Sequence, residues 1–233
     1  MANRVFGITG MAAAGKTCVA LALCKRHNAV YCSAGAVYLA LVELLHQSGW
    51  DLQRPLIEAQ RRWIVQKLTS IRLGYLPPSE SGLRQLAACS GETPLPAPKN
   101  AQRATCSAEL ASILAVNLKV LDLVRNCIAE VTICAPIVLD GRQAYLVTGN
   151  SVFLKADIPM RVERLRKKLE IRNVDAAALI QTLDNLDRCM NDDAQRVLIG
   201  RVIDATELSP FHLVEAAERC LGLTHSWLQR DHK

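Results

Sequence analysis

The sequence predicts an α/β protein: a parallel sheet with helices on both faces. Three observations carry this. Short apolar runs alternate with helix-patterned stretches along the chain, the arrangement that builds parallel sheets through helical crossovers. The first such run, RVFGITG, leads through a glycine-bounded loop into KTCVALALCKRH, so strand, loop and helix follow one another directly. The chain has 233 residues, half of them hydrophobic, which is enough to bury a substantial core and to carry an inserted lobe.

In order, RVFGITG is a short apolar strand and KTCVALALCKRH a helix. AVYCS is a second strand. GAVYLALVELLHQSG is a strongly apolar helix that Gly49 closes. Residues 57–69 have helical spacing with a charged face. Residues 71–100 change character: Pro77, Pro78, Pro94, Pro96 and Pro98 separate the β-like runs IRLGYL and LRQLAAC. This stretch reads as an irregular, β-containing insertion. SAELASILAVNLKVLDLVRNCIAEV is a long helical pattern. PIVLD and SVFLKA are buried strands, MRVERLRKKLEIR is a basic helix, and DAAALIQTLDNLDRCM is helical. RVIDAT is the last strand. SPFHLVEAAERCLG is the last helix, with Ser209 as N-cap, Pro210 at the first position and Gly222 near its end.

Composition narrows the function. No apolar run reaches the roughly 18 residues of a membrane span, and MANRVFGITG lacks the apolar stretch of a secretory signal. Nine cysteines are scattered without a C-x-x-C pair. This predicts a reduced, cytoplasmic protein without structural zinc. The net charge of +6 suits an anionic ligand, and the absence of a dense basic run argues against nucleic acid.

The chemistry begins with GMAAAGKT, which fits G-x-x-x-x-G-K-T at Gly10, Gly15, Lys16 and Thr17. The pattern is physically meaningful here because a strand precedes it and a helix follows. Its glycines let the backbone curl so that N–H groups point at phosphate oxygens, and the helix N-terminus adds partial positive charge. Lys16 reaches the β- and γ-phosphates and Thr17 binds Mg²⁺. Ala12, Ala13, Ala14 and Cys18 complete the nucleotide cradle. Asp140, at the C-terminal edge of PIVLD, faces the ligand crevice of a parallel sheet. It either holds Mg²⁺ with Thr17 or caps a turn. Arg161 and Arg164, i, i+3 neighbours on the basic helix, either stabilise a transferring phosphoryl group or form a solvated basic face.

Taken together, these pieces resemble bacterial cytidylate kinases, of the nucleoside monophosphate kinase group. YCSAGAVYLALVELLHQSGWDL resembles that family's Y-L-D-T-G-A-M-Y-R segment, and IVLDGRQ its D-G-R-D. RATCSAELASILAVNLKVL, FLKADIPMRVERLRKK, DDAQRV and RVIDAT resemble further family segments in the same order. The resemblance implies a five-stranded parallel sheet flanked by helices. It implies a P-loop core over residues 1–51 and 112–233, with a helical lid around 157–190 and a nucleoside-monophosphate-binding insertion over 52–111. It implies ATP and Mg²⁺, a small anionic acceptor and a monomer. By this resemblance Arg142 holds the acceptor phosphate and Ser112 lies near the base. Asp193 and Arg196 match a D-x-x-R segment, with Arg188 as a further arginine. Gly35 and Tyr38 match the G-A-M-Y stretch, and Arg161 and Arg164 match lid arginines.

Departures from the pattern gather on the acceptor side. Ser33 replaces an Asp, Leu39 and Leu121 replace arginines, and Gln143 replaces the second Asp of D-G-R-D. Leu165 replaces one of two adjacent lid arginines. Each lost bidentate arginine contact removes roughly 1.5–3 kcal/mol of charge-assisted binding. Three functions remain open. One is a kinase with an altered acceptor pocket, in which Arg142 and Arg103 hold a modified pyrimidine nucleotide or another phosphorylated or phosphonate metabolite. Another is an ordinary CMP/dCMP kinase with compensating contacts. The third is a nucleotide-binding protein without phosphoryl transfer.

Overall fold

The structure, a computed structural model, describes residues 5–36, 47–49, 59, 62, 63, 66, 71–76, 82–90, 93–95, 122, 125 and 135–223. Its centre is β1 (Val5–Gly10). β1 is flanked by β6 (Ile137–Asp140) on one side and β7 (Ser151–Lys155) on the other, both parallel. β2 (Val30–Ser33) pairs parallel with β6, and β8 (Val202–Asp204) pairs parallel with β7. The order β2-β6-β1-β7-β8 is the five-stranded parallel sheet that the resemblance implies.

The proline-punctuated stretch adds to this sheet. β4 (Gln85–Ser90) extends it in parallel beyond β2. β3 (Ile71–Tyr75) and β5 (Thr93–Pro94) pair antiparallel with β4. The β-like runs read from the sequence are therefore strands of one continuous sheet. The boundaries of the expected insertion, the apolar helix beyond residue 36 and the long pattern over 107–131 lie outside the described residues, apart from isolated positions.

Strand alternation decides which helix covers which face. Phe6 and Ile8 of β1 and Val152 and Leu154 of β7 point to one face. There they meet Val19, Ala20 and Leu23 of α1 (Lys16–His27) and Leu213, Val214, Ala217 and Leu221 of α5 (Pro210–Leu221). Phe153, one residue out of phase, points to the other face. It packs with Tyr145 of α2 (Ala144–Val147) and with Ala194 and Leu198 at the end of α4 (Asn173–Val197).

α3 (Ile158–Leu169) starts where Asp157 accepts a hydrogen bond from the Met160 N–H, with Pro159 in the first turn. α5 starts as the sequence predicts: Ser209 accepts from the His212 N–H, Pro210 follows, and Gly222 ends it at φ 68°. α3 and α4 pack through Leu165, Ala176, Leu179, Ile180 and Leu183, and Ala12 of the β1–α1 loop joins that cluster. The helices read as a lid thus rest on the loop. Among the described residues, no helix is long and apolar enough to cross a membrane.

Candidate functional site

The site forms where β1 and β6 end. Gly10 leaves the strand at φ 137°, and a Cβ there would sit 2.0 Å from the Leu154 carbonyl oxygen of β7. Only glycine lets the chain turn this close to its neighbour. Ala13 takes a left-handed conformation at φ 58°, and Gly15, the residue before α1, lies at φ 103°. The loop closes on itself as the Met11 N–H donates to Leu154 and the Ala14 N–H to Met11.

α1 then begins without a side-chain cap and without an acidic residue in its first turn. A 12-residue helix leaves its first N–H groups unpaired within the helix and presents about half a positive charge there. Cys18, in that first turn, is exposed.

Lys16 lies under the loop, and its Nζ donates to the carbonyls of Gly10 at 2.9 Å and Met11 at 2.6 Å. Burial pushes its pKa down to about 8, Asp140 opposes the shift and Arg142 adds to it. Burial dominates because a desolvated ammonium is disfavoured against the neutral amine.

Asp140 is 5% exposed at the end of β6. Its Oδ2 accepts from the Thr17 hydroxyl at 2.7 Å and from the Tyr31 hydroxyl at 3.1 Å. Burial, reinforced by Asp140, raises the Tyr31 pKa well above the ordinary phenol value, so its hydroxyl stays a donor. The strand register sets Ser33 of β2 opposite Asp140. Ser33 itself accepts from the Ala36 N–H at 3.2 Å and starts the helical turn that holds Gly35.

Beyond Asp140 the chain turns through Arg142, whose carbonyl accepts from the buried Thr9 hydroxyl of β1 at 2.5 Å. The Arg142 Nε lies 2.7 Å from Asp187 Oδ2 on α4. Gln143 is buried, and its amide nitrogen lies 3.3 Å from the Met190 sulfur. The structure brings Gly10, Gly15, Lys16, Thr17, Asp140 and Arg142 into one neighbourhood.

Other predicted residues are placed apart from it or turned elsewhere. Arg161 is 2% exposed. Its guanidinium holds Asp184 through two bonds, 2.7 and 2.5 Å, and approaches the Ala12 carbonyl at 3.4 Å. Arg164 donates to the carbonyls of Ala14 and Ala205. Arg188 is exposed and bonded to Asn185. Asp193 accepts from the Tyr145 hydroxyl at 2.7 Å, tying α2 to α4, and Arg196 is exposed on the last turn of α4. Tyr38, Arg103 and Ser112 lie outside the described residues.

Three residues of the site escape a reading of motifs: Tyr31, Asp184 and Asp187. Asp187 had a signal. The buried stripe of α4 runs Ala176, Leu179, Ile180, Leu183, Asp187, Asn191, Ala194, so an acid occupies a position where helical spacing demands an apolar residue. Buried acids need partners, and Arg142 is one. Tyr31 had no comparable signal, because an aromatic residue in a buried strand is ordinary core.

No protein-family model matches the chain. Among curated proteins it is similar to the cytidylate kinase of Limosilactobacillus fermentum, 25% identical over 218 residues, covering 88% of each chain. Among solved structures it is similar to shikimate kinase from Bacteroides thetaiotaomicron at 16% identity and a TM-score of 0.42, covering 94% of this chain and 96% of that one. It is also similar to the Acinetobacter baumannii shikimate kinase solved with shikimate, at 14% identity and a TM-score of 0.41, covering 100% of this chain and 97% of that one.

Proposed function

We propose that the protein transfers a phosphoryl group from ATP to a small anionic acceptor. The observation that carries this is the head of α1: an uncapped helix N-terminus behind a glycine-bounded loop, with Lys16, Thr17 and Asp140 gathered beside it. Backbone N–H groups and the helix dipole suit a polyphosphate. Lys16 supplies the charge that follows the phosphate oxygens, exchanging its two loop carbonyls for them. The Thr17 hydroxyl and the Asp140 carboxylate are hard oxygen donors 2.7 Å apart, the donor set Mg²⁺ prefers. Mg²⁺ held by Thr17 and Asp140 would supply positive charge against the phosphate oxygens.

Arg142 is the acceptor arginine of this reading. It sits on the turn directly after Asp140, and Asp187 fixes its Nε side. Positioning and charge accomplish most of phosphoryl transfer, so the reaction requires no strong general base. Replacement of the family's Asp by Ser33, and burial of Gln143 against Met190, support an acceptor other than ordinary CMP or dCMP.

An ADP-release assay with Mg-ATP and a panel of acceptors tests the proposal. The panel holds CMP, dCMP, UMP, AMP, modified cytidylates and small phosphorylated or phosphonate metabolites. Turnover that Lys16→Ala abolishes, strongest with an acceptor other than CMP, is the expected result. Strong turnover with CMP would restore the ordinary cytidylate kinase reading. Binding of ATP with no turnover on any acceptor would count for a nucleotide-binding protein without transfer.

A further inference from the structure

We propose that Arg161 is a positioning residue that shapes the phosphate loop from behind rather than touching phosphate. The inference rests on the reading of the Gly10–Thr17 loop as a nucleotide site. Among the described residues, Arg161 is one of the largest fully buried side chains. Its two terminal nitrogens pair with the two carboxylate oxygens of Asp184, and Nη1 also faces the Ala12 carbonyl. A buried guanidinium with this bidentate partner is held in place: moving it breaks two charge-assisted bonds, and removing the partner leaves a buried charge uncompensated. Asp184 is itself 31% exposed, so the pair closes the open edge of an otherwise apolar contact.

That contact is the seat of the loop. Ala12 belongs to the cluster that α3 and α4 form through Leu165, Leu179, Ile180 and Leu183, and Ala13 packs against it. Ala13 holds a left-handed backbone conformation, which a residue with a Cβ keeps only when its surroundings enforce it. Arg161 provides the polar anchor in that seat, and Arg164 adds a second one at Ala14. The same helix that carries Asp184 carries Asp187, one turn later, on Arg142. Arg161 therefore joins the nucleotide loop to the element that holds the acceptor arginine.

The test uses the full chain with Arg161→Lys, Asp184→Asn and the double variant. Mg-ATP affinity is measured by calorimetry, kcat and KM by ADP release, and folding by circular dichroism and thermal midpoint. Asp184→Asn keeps the Arg161 side chain and changes a partly exposed partner, so it covers the case in which Arg161→Lys fails to fold. Each single variant is expected to weaken Mg-ATP affinity and raise its KM by roughly tenfold, the scale of one charge-assisted bond. The double variant is expected to lose little more than either single one, and kcat at saturating nucleotide to fall far less than affinity. A fall in kcat for Arg161→Lys, with Asp184→Asn indistinguishable from wild type, would overturn the proposal and make Arg161 a phosphate ligand. Lower thermal midpoints with unchanged KM for ATP would also overturn it. Failure of the wild type to bind Mg-ATP would sink the nucleotide-site reading itself.

Discussion

Lys16 offers a test that needs no knowledge of the acceptor. Its pKa is lowered from 10.5 to about 8, chiefly by burial. Asp140 and Asp187 oppose that shift, while Arg142 and Lys168 reinforce it. A nucleotide phosphate beside the amine favours the ammonium, so the bound state stays protonated. Above pH 8 the free protein carries a neutral amine, and binding must take up a proton. Apparent Kd then follows the loss of charged lysine, weakening by roughly 25-fold between pH 7.5 and 9.5.

Calorimetry in two buffers of different ionisation enthalpy reads both the affinity and the proton uptake. Uptake should rise toward one proton per nucleotide at the upper end. Lys16→Arg, which holds its charge throughout, should show a flat profile over the same window. The stability effect has the opposite sense. The folded chain holds fewer protons than the unfolded chain between pH 8 and 10.5. The buried ammonium therefore costs stability below pH 8, and that cost fades as pH rises. The thermal midpoint of the ligand-free wild type should gain on that of Lys16→Met across this interval. A pH-independent wild-type Kd without proton uptake would refute the argument.

Two further predictions concern the loop and the metal side. Gly10→Ala places a Cβ 2.0 Å from Leu154 O and 2.6 Å from Leu154 N, both backbone atoms of a central strand. It should cost more than about 3 kcal/mol and lower the thermal midpoint by roughly 6 °C or more. Gly149→Ala, where an added Cβ meets nothing within 4 Å, is the matched control, and equal midpoints for the two would contradict the close approach. Tyr31→Phe removes one of the two hydroxyl donors on Asp140 Oδ2. At about 1 kcal/mol for that bond, the Mg²⁺ concentration for half-maximal ADP release should rise roughly fivefold. An unchanged Mg²⁺ requirement would separate Tyr31 from the metal side of the site.

Much of the arrangement is local in origin, and the sequence by itself determined it. Gly10, Gly15, Lys16 and Thr17 lie within eight residues, so strand, turn and helix propensities alone bring them together. Asp140 follows from the rule that the C-terminal ends of parallel strands meet at one edge, and Arg142 was implied by the resemblance of IVLDGRQ to D-G-R-D. The parallel sheet with helices on both faces, the Ser209 cap and the Gly222 stop were legible for the same reason: each is set by spacing or by backbone preference along the chain. Only the tertiary structure decided where the charges on α3 and α4 point. Arg161 and Arg164 look alike as i, i+3 neighbours on a basic helix, yet one is sealed against Asp184 and the other spans Ala14 and Ala205. Asp187 reaches Arg142 across 45 residues of chain because α4 packs behind the loop. Helical periodicity states which face is inward. Which partner waits on that face depends on how two helices and a loop pack together, and that packing energy is spread over contacts no single segment contains.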